Sequence, residues 1–350
     1  MRKALAFVLT LAMSASLLVG CTGKIVVIEN PTENVENIES GEVAETAEGA
    51  VKTGLSVIAN LSGEAATAEK NGVVTTDISL VAVTVNDNGV IESCAIDAVQ
   101  GKVSFDQKGQ LAGEGGEILS KNELGDDYGM RVASPIGKEW NEQAAHIAAY
   151  AVGKTVEELK TKAIDENGVV ADADLASGAT IYMGSFIWAI EAAVNNAEYL
   201  GANAGDELIL VTNSKASGTD ATTEEDGTTQ VDSNVAVFTM NGDTITSCII
   251  DAVQAKATFD SNGLAREIAD PIVLTKTQLG DAYGLKAYSP IGKEWDEQTA
   301  AFCQYITGKT VDEVKGISLT ETTAPADTDL AASVSIAVGD FMGLVEKAAN

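Results

Sequence analysis

Apolar and β-branched residues cluster in short segments separated by polar, glycine-containing turns. Leu80 to Val85 is rich in Val and Thr, Asn86-Asp87-Asn88-Gly89 supplies a turn, and Val90 to Ile96 returns as a second strand. The same hairpin is written again by Val235 to Met240, Asn241-Gly242-Asp243 and Thr244 to Ile250. A further strand is expected near Lys102 to Phe105 and near Lys256 to Phe259. The period then changes from 2 to about 3.6. Pro135 and Gly137 punctuate the entry to a helix from about Glu139 to Ala151, with Trp140, Ala144, Ile147 and Ala148 at apolar positions. Thr155 to Glu158 and Thr310 to Glu313 have the Ser/Thr-x-x-Glu form of a capping box, so a short helix starts at each. The last element of the first half, from about Tyr182 to Ala197, carries Phe186, Ile190, Ala193, Val194 and Ala197 at helical spacing. The Ser/Thr/Gly/Glu-rich run Ser214 to Thr229 reads as a mobile loop. Strands do not alternate with helices as in a doubly wound sheet, so the fold class is α+β, antiparallel sheet plus helices.

These elements occur twice because the chain repeats itself. Ser93-Cys94-Ala95-Ile96-Asp97-Ala98-Val99-Gln100 returns as Ser247-Cys248-Ile249-Ile250-Asp251-Ala252-Val253-Gln254. Ser134-Pro135-Ile136-Gly137-Lys138-Glu139-Trp140 returns unchanged as Ser289 to Trp295, and Asp174-Leu175-Ala176 returns as Asp329-Leu330-Ala331. The offset is 154 from Cys94 to Cys248 and 155 from Ser134 to Ser289, which marks a tandem domain duplication rather than a short-period solenoid. The copies are placed at 51–199 and 204–350, each long enough to bury a core.

The N-terminus reads as an address. Arg2 and Lys3 precede an apolar run from Ala4 to Leu17 that is short for a membrane span. Leu18-Val19-Gly20-Cys21 resembles a bacterial lipobox, which implies a signal peptide over 1–20 and lipidation at Cys21. Residues 21–50 then form an acidic tether, in which Val26-Val27-Ile28 has the composition of a short strand. Lipid would be the membrane anchor, with the mature protein on the extracytoplasmic side. The net charge of −30, with Arg131 and Arg266 as the arginines beyond the signal, argues against nucleic acid or anionic headgroups as partners. Cys94, Cys248 and Cys303 read as buried apolar cysteines without metal-ligand spacing.

Asp174-Leu175-Ala176-Ser177-Gly178-Ala179-Thr180 carries a D-x-x-S-G-A-T pattern. With the order of strands and helix, Gly153-Lys154-Thr155 ahead of it and a terminal helix behind it, the first copy resembles the FMN-binding domain family. In that family a flavin transferase esterifies the FMN phosphate to the threonine hydroxyl. The resemblance implies covalent FMN at Thr180, with Ser177, Gly178 and Ala179 in the cofactor-binding turn and Asp174 read by the transferase. Tyr182 stands where the family usually has Ser or Thr. Gly178 and Ala179 would leave room for backbone to approach a phosphate, and the start of the following helix favours an anion. The alternative is that Ser177 and Thr180 merely cap that helix. The second copy reads Asp329-Leu330-Ala331-Ala332-Ser333-Val334-Ser335, a degenerate motif in which Ser335 is not expected to accept flavin.

Lys138 with Trp140, and Lys293 with Trp295, are placed to flank a flavin ring, although core packing explains the tryptophans in both copies. His146, replaced by Ala301 in the second copy, has no expected role. Leu124-Gly125-Asp126-Asp127-Tyr128-Gly129 reads as a turn with solvated aspartates, since its oxygen ligands are too few for a calcium loop. With one histidine and no Gly-x-Ser-x-Gly elbow, hydrolytic chemistry lacks its parts. The expectation is a membrane-anchored flavoprotein that takes electrons from a membrane redox donor and relays them to an external acceptor, as carrier or reductase component. The alternative is a surface lipoprotein whose two modules bind or build without flavin.

Overall fold

A computed structural model describes residues 49–350 apart from 114, 166–169, 182, 267, 269 and 270. The signal segment, Cys21, nearly all of the tether and Tyr182 lie outside the described residues. Three long strands begin each copy: β1 (Lys52–Glu64), β2 (Gly72–Val85) and β3 (Ile91–Phe105), then β5 (Glu207–Thr219), β6 (Gly227–Asn241) and β7 (Thr244–Phe259). The two strands expected after the hairpin turn at Asn86 are therefore one continuous β3. Two short strands follow, β4 (Gly116–Ile118) and β8 (Ile272–Val273). All pairings are antiparallel, and the sheet orders are β3-β2-β1-β8 and β4-β5-β6-β7. Each sheet is thus completed by a strand from the other copy: Ala59 and Asn60 of β1 pair with Val273 and Ile272, and β4 pairs with Ser214 to Ala216 of β5.

The Ser214 to Thr229 run is a correction to the loop reading. Most of it is strand, ending β5 and starting β6, and its hydroxyls pair across the ladder. Ser214 meets Ser233 at 2.7 Å and Thr219 meets Thr228 at 2.9 Å. Composition suggested a loop where a two-residue alternation was present.

Both faces of each sheet are covered, so the long strands are apolar on both sides. Ile78, Leu80 and Ala82 of β2 face the other sheet, where they join Val235, Val237 and Val253 in a central core. Val81, Val83 and Val85 face helices instead. In the first copy these are α2 (Trp140–Ala151) and α5 (Met183–Asn195); between the two lie α3 (Val156–Glu158), which runs into a π-helical turn, and α4 (Ala173–Gly178). A short α1 (Lys121–Leu124) precedes them. The second copy answers with α6 (Lys276–Leu279), α7 (Trp295–Ile306), α8 (Val311–Lys315), α9 (Thr328–Ala331) and α10 (Gly339–Ala348). The layers run helices, sheet, sheet, helices.

At one end of the central core Phe105 and Phe259 stack with centroids 4.1 Å apart and planes 2° from parallel. Gly72 and Gly227 permit this: a Cβ at either would lie 2.4 Å from a ring carbon of its own copy's phenylalanine. Thr53 and Ser247 share a buried hydrogen bond of 2.8 Å from one copy to the other.

Candidate functional site

The D-x-x-S-G-A-T segment forms α4 and the turn that leads to α5. Its N-cap is Asp172, two residues ahead of the motif's aspartate. Asp172 Oδ1 accepts from Asp174 N–H at 2.9 Å and Leu175 N–H at 3.1 Å. The Leu175 amide, chiefly, holds this carboxyl below the usual aspartate range. Asp174 and Ser177 are exposed, and Ser177 Oγ donates back to the Asp174 carbonyl at 2.7 Å. Leu175, Gly178 and Ala179 point into the core. Thr180 is exposed.

What fixes Thr180 is a residue absent from the sequence reading. Gln143, fully buried on α2, turns its carboxamide oxygen to the turn. There it accepts from Thr180 N–H at 2.7 Å, Thr180 Oγ–H at 3.2 Å and Ile181 N–H at 3.2 Å. Its Nε2 donates to Ser134 Oγ at 3.2 Å and to the Lys138 carbonyl at 3.1 Å. Gln143 therefore ties the Ser134–Lys138 loop, α2 and the candidate acceptor into one network, with every bond of the amide oriented. A glutamine at an otherwise apolar position of the helix was the signal available in the sequence.

The second copy repeats the network without the full motif. Gln298 Oε1 accepts from Ser335 N–H at 2.8 Å, Ser335 Oγ–H at 3.1 Å and Ile336 N–H at 3.2 Å. Its Nε2 donates to Ser289 Oγ at 3.2 Å and to the Lys293 carbonyl at 3.0 Å.

The missing glycine of the second copy has a packing explanation. A Cβ on Gly178 would lie 2.1 Å from the His146 ring, so the space beside this glycine is filled by imidazole. His146 Nε2 also donates to the Asp174 carbonyl at 3.1 Å. Ala301 replaces His146 in the second copy, and Ser333 replaces Gly178. His146, assigned no role from the sequence, is thus part of the motif's support.

Trp140 and Trp295 are each 5% exposed and pack against Phe186 and Phe341. The cations over their rings are Lys121 at 5.1 Å and Lys276 at 5.0 Å, not Lys138 or Lys293, whose carbonyls serve the glutamines. Asp126 faces Arg131 at 2.6 Å on the surface. Asp97 and Asp251 are buried within their own copies, accepting from Asn122 N–H and Thr277 N–H, both at 3.1 Å. Near α4, Lys154 lies 4.0 Å over the Tyr150 ring. The matching Tyr305 and Lys309 line an open cavity of about 520 Å³ with Glu313, Ile317 and Asp327. Among the described residues no group of His, Cys, Asp or Glu could hold a metal, and no helix is long and apolar enough to cross a membrane.

Among curated proteins, a chlorophenol reductase from Desulfitobacterium hafniense is 54% identical over 41 residues, a stretch covering 12% of this chain and 12% of the reductase. No family model and no solved structure matches the chain.

Proposed function

We propose that the chain is an extracytoplasmic flavoprotein, lipid-anchored through Cys21, with FMN esterified to Thr180 by a flavin transferase. The observation that carries this reading is Thr180, an exposed residue at the end of a D-x-x-S-G-A-T segment whose hydroxyl is held in one position by buried Gln143. An exposed acceptor residue leaves a transferase and a bulky flavin room to approach. Esterification by the transferase would exchange the Thr180 O–H bond for an O–P bond, the donor's bond from phosphorus to its leaving group breaking and the proton departing with that group. Thr180 would then lose its hydroxyl bond to Gln143, while Thr180 N–H and Ile181 N–H would keep that carboxamide oxygen. The turn is thus held in both forms. Those two amides are engaged by Gln143, so they do not serve as the phosphate's donors. Met183 and Gly184 begin the helix that follows.

Bound FMN would supply one- and two-electron redox chemistry; the protein fixes it in place. The short match to a reductase supports a redox role, as carrier or reductase component between a membrane donor and an external acceptor. A second reading is a surface lipoprotein with two binding or structural modules. It is favoured by the Gln298–Ser335 network, which persists where the motif does not and so serves helix attachment by itself.

The test is the intact mass of the exported chain produced with a flavin transferase, alongside Thr180→Ala and Ser335→Ala. The flavoprotein reading expects a gain of one FMN in the parent and in Ser335→Ala, and none in Thr180→Ala. No gain in the parent with an active transferase leaves the module reading standing.

A further inference from the structure

The second copy contains a pair of thiols that the first copy lacks. Cys248 on β7 and Cys303 on α7 are 4% and 6% exposed, and their sulfurs lie 3.0 Å apart. Non-bonded carbons rest about 3.5–4.0 Å apart, and sulfur is the larger atom. The bond length of a disulfide is about 2.0 Å, so closure needs a shift of about 1 Å shared between two side chains. Cys248 is on the helix-facing side of β7 with Ile250 and Ala252, and Cys303 is on the sheet-facing side of α7 with Phe302 and Ile306. In the first copy Cys94 holds the place of Cys248, but Ala148 stands where Cys303 would be.

We propose that Cys248 and Cys303 form a disulfide that staples α7 to β7 in the second copy when the chain folds with a disulfide oxidant. The step is thiol–disulfide exchange. One cysteine thiolate attacks a small-molecule disulfide, forms a mixed disulfide and expels one thiolate. The second cysteine then attacks the protein sulfur of that mixed disulfide and expels the other. Two protein thiols are oxidised, one external disulfide is reduced to two thiols, and two protons pass from the cysteines to those thiols. Burial in the folded second copy pushes the Cys248 thiol up, and no described cation sits beside it to favour thiolate. The bond therefore closes before α7 has docked, or through local opening, and is slow to form in chain already folded in reducing solution. The staple acts on the helix that carries Gln298, five positions before Cys303, and so secures the Ser335 turn that lacks the His146 contact of the first copy.

The experiment is peptide mapping of the full-length chain, refolded from denaturant with oxidised and reduced glutathione, alkylated under denaturing conditions and digested with trypsin. The expected product is the peptide 216–256 joined to 294–309, lost on reduction, with the Cys94 peptide alkylated throughout. Recovery of both peptides separately alkylated overturns the proposal. So does a link between Cys94 and either partner in place of this one. Because Cys303→Ala could weaken packing by itself, the melting temperature of the parent is compared with and without reductant. A loss of roughly 5 °C or more on reduction is expected in the parent, and none in Cys303→Ala. Equal melting in the two states of the parent counts against a staple.

Discussion

The motif's glycine and the helix's histidine are one decision. The His146 ring occupies the volume that any Cβ at position 178 would need, at 2.1 Å from the nearest ring atom. Gly178→Ala should therefore cost about 1–3 kcal/mol through overpacking of a fixed ring. In a His146→Ala background the same substitution should cost little, because the second copy already pairs Ala301 with Ser333. Urea denaturation of the two single variants and the double variant gives the coupling directly. Additive losses would show that the ring swings away and that the glycine serves something else. A reader of the sequence could find D-x-x-S-G-A-T, but not why its glycine is needed. That reason lies on a helix 32 residues earlier, at His146. Gln143 stands out in the sequence as a polar residue on an apolar helix face, but that says nothing of the turn it will meet.

Local chemistry was easier to read where donor and acceptor are close in sequence. The capping boxes at Thr155 and Thr310 are present as their spacing implied, with Glu158 N–H and Glu313 N–H both 3.3 Å from the threonine hydroxyls. Pairings between distant strands were not legible: nothing within β1 names its partners, which arrive later in the chain. Between these extremes lies Asp97, visible as a repeated residue but not as a joint. It sits on β3, accepts from Ala98 N–H at 2.7 Å and Asn122 N–H at 3.1 Å, and so ties α1 to the sheet. Burial, the dominant influence, pushes its carboxyl up to about 6 against the pull of these donors. Asp251 on β7, which accepts from Thr277 N–H in α6, is raised for the same cause. A carboxyl raised in the folded state binds its proton there first. Its contribution to stability is full below the ordinary aspartate range and is lost as pH rises through about 6. Asp97→Asn removes the charge and leaves an oxygen for the same amides. Relative to the parent, this variant should gain stability on the order of 2 kcal/mol between pH 4 and pH 7. Parallel pH profiles of the unfolding free energy for parent and variant would show instead that the carboxyl finds water.

The two copies are joined more deeply than a tandem duplication requires. Each lends a short strand to the other's sheet, and the faces they turn to each other form a buried apolar core. Without its partner, the first copy would expose Leu55, Val57, Leu80 and Val99 and leave Ala59 and Asn60 of β1 on an open edge. An apolar face of that kind favours association over solvation. The partner's surface, however, is a repeat of its own, so the geometry approximates a two-fold axis through the Phe105–Phe259 stack. A chain carrying residues 51–199 alone should therefore self-associate to twice its mass, using a second Phe105 in place of Phe259. Coexpression with 204–350 should divert it into a one-to-one complex that melts near the intact chain. Multi-angle light scattering decides the first point and a melting curve the second. A stable, monomeric 51–199 would mean that β8 and the central core are accessories rather than part of the folding unit. If the prediction holds, the second copy supplies within one chain the partner surface that the first would otherwise take from a second molecule. Its degenerate motif is then free to drift while its strands, its buried glutamine and its stacked phenylalanine are not.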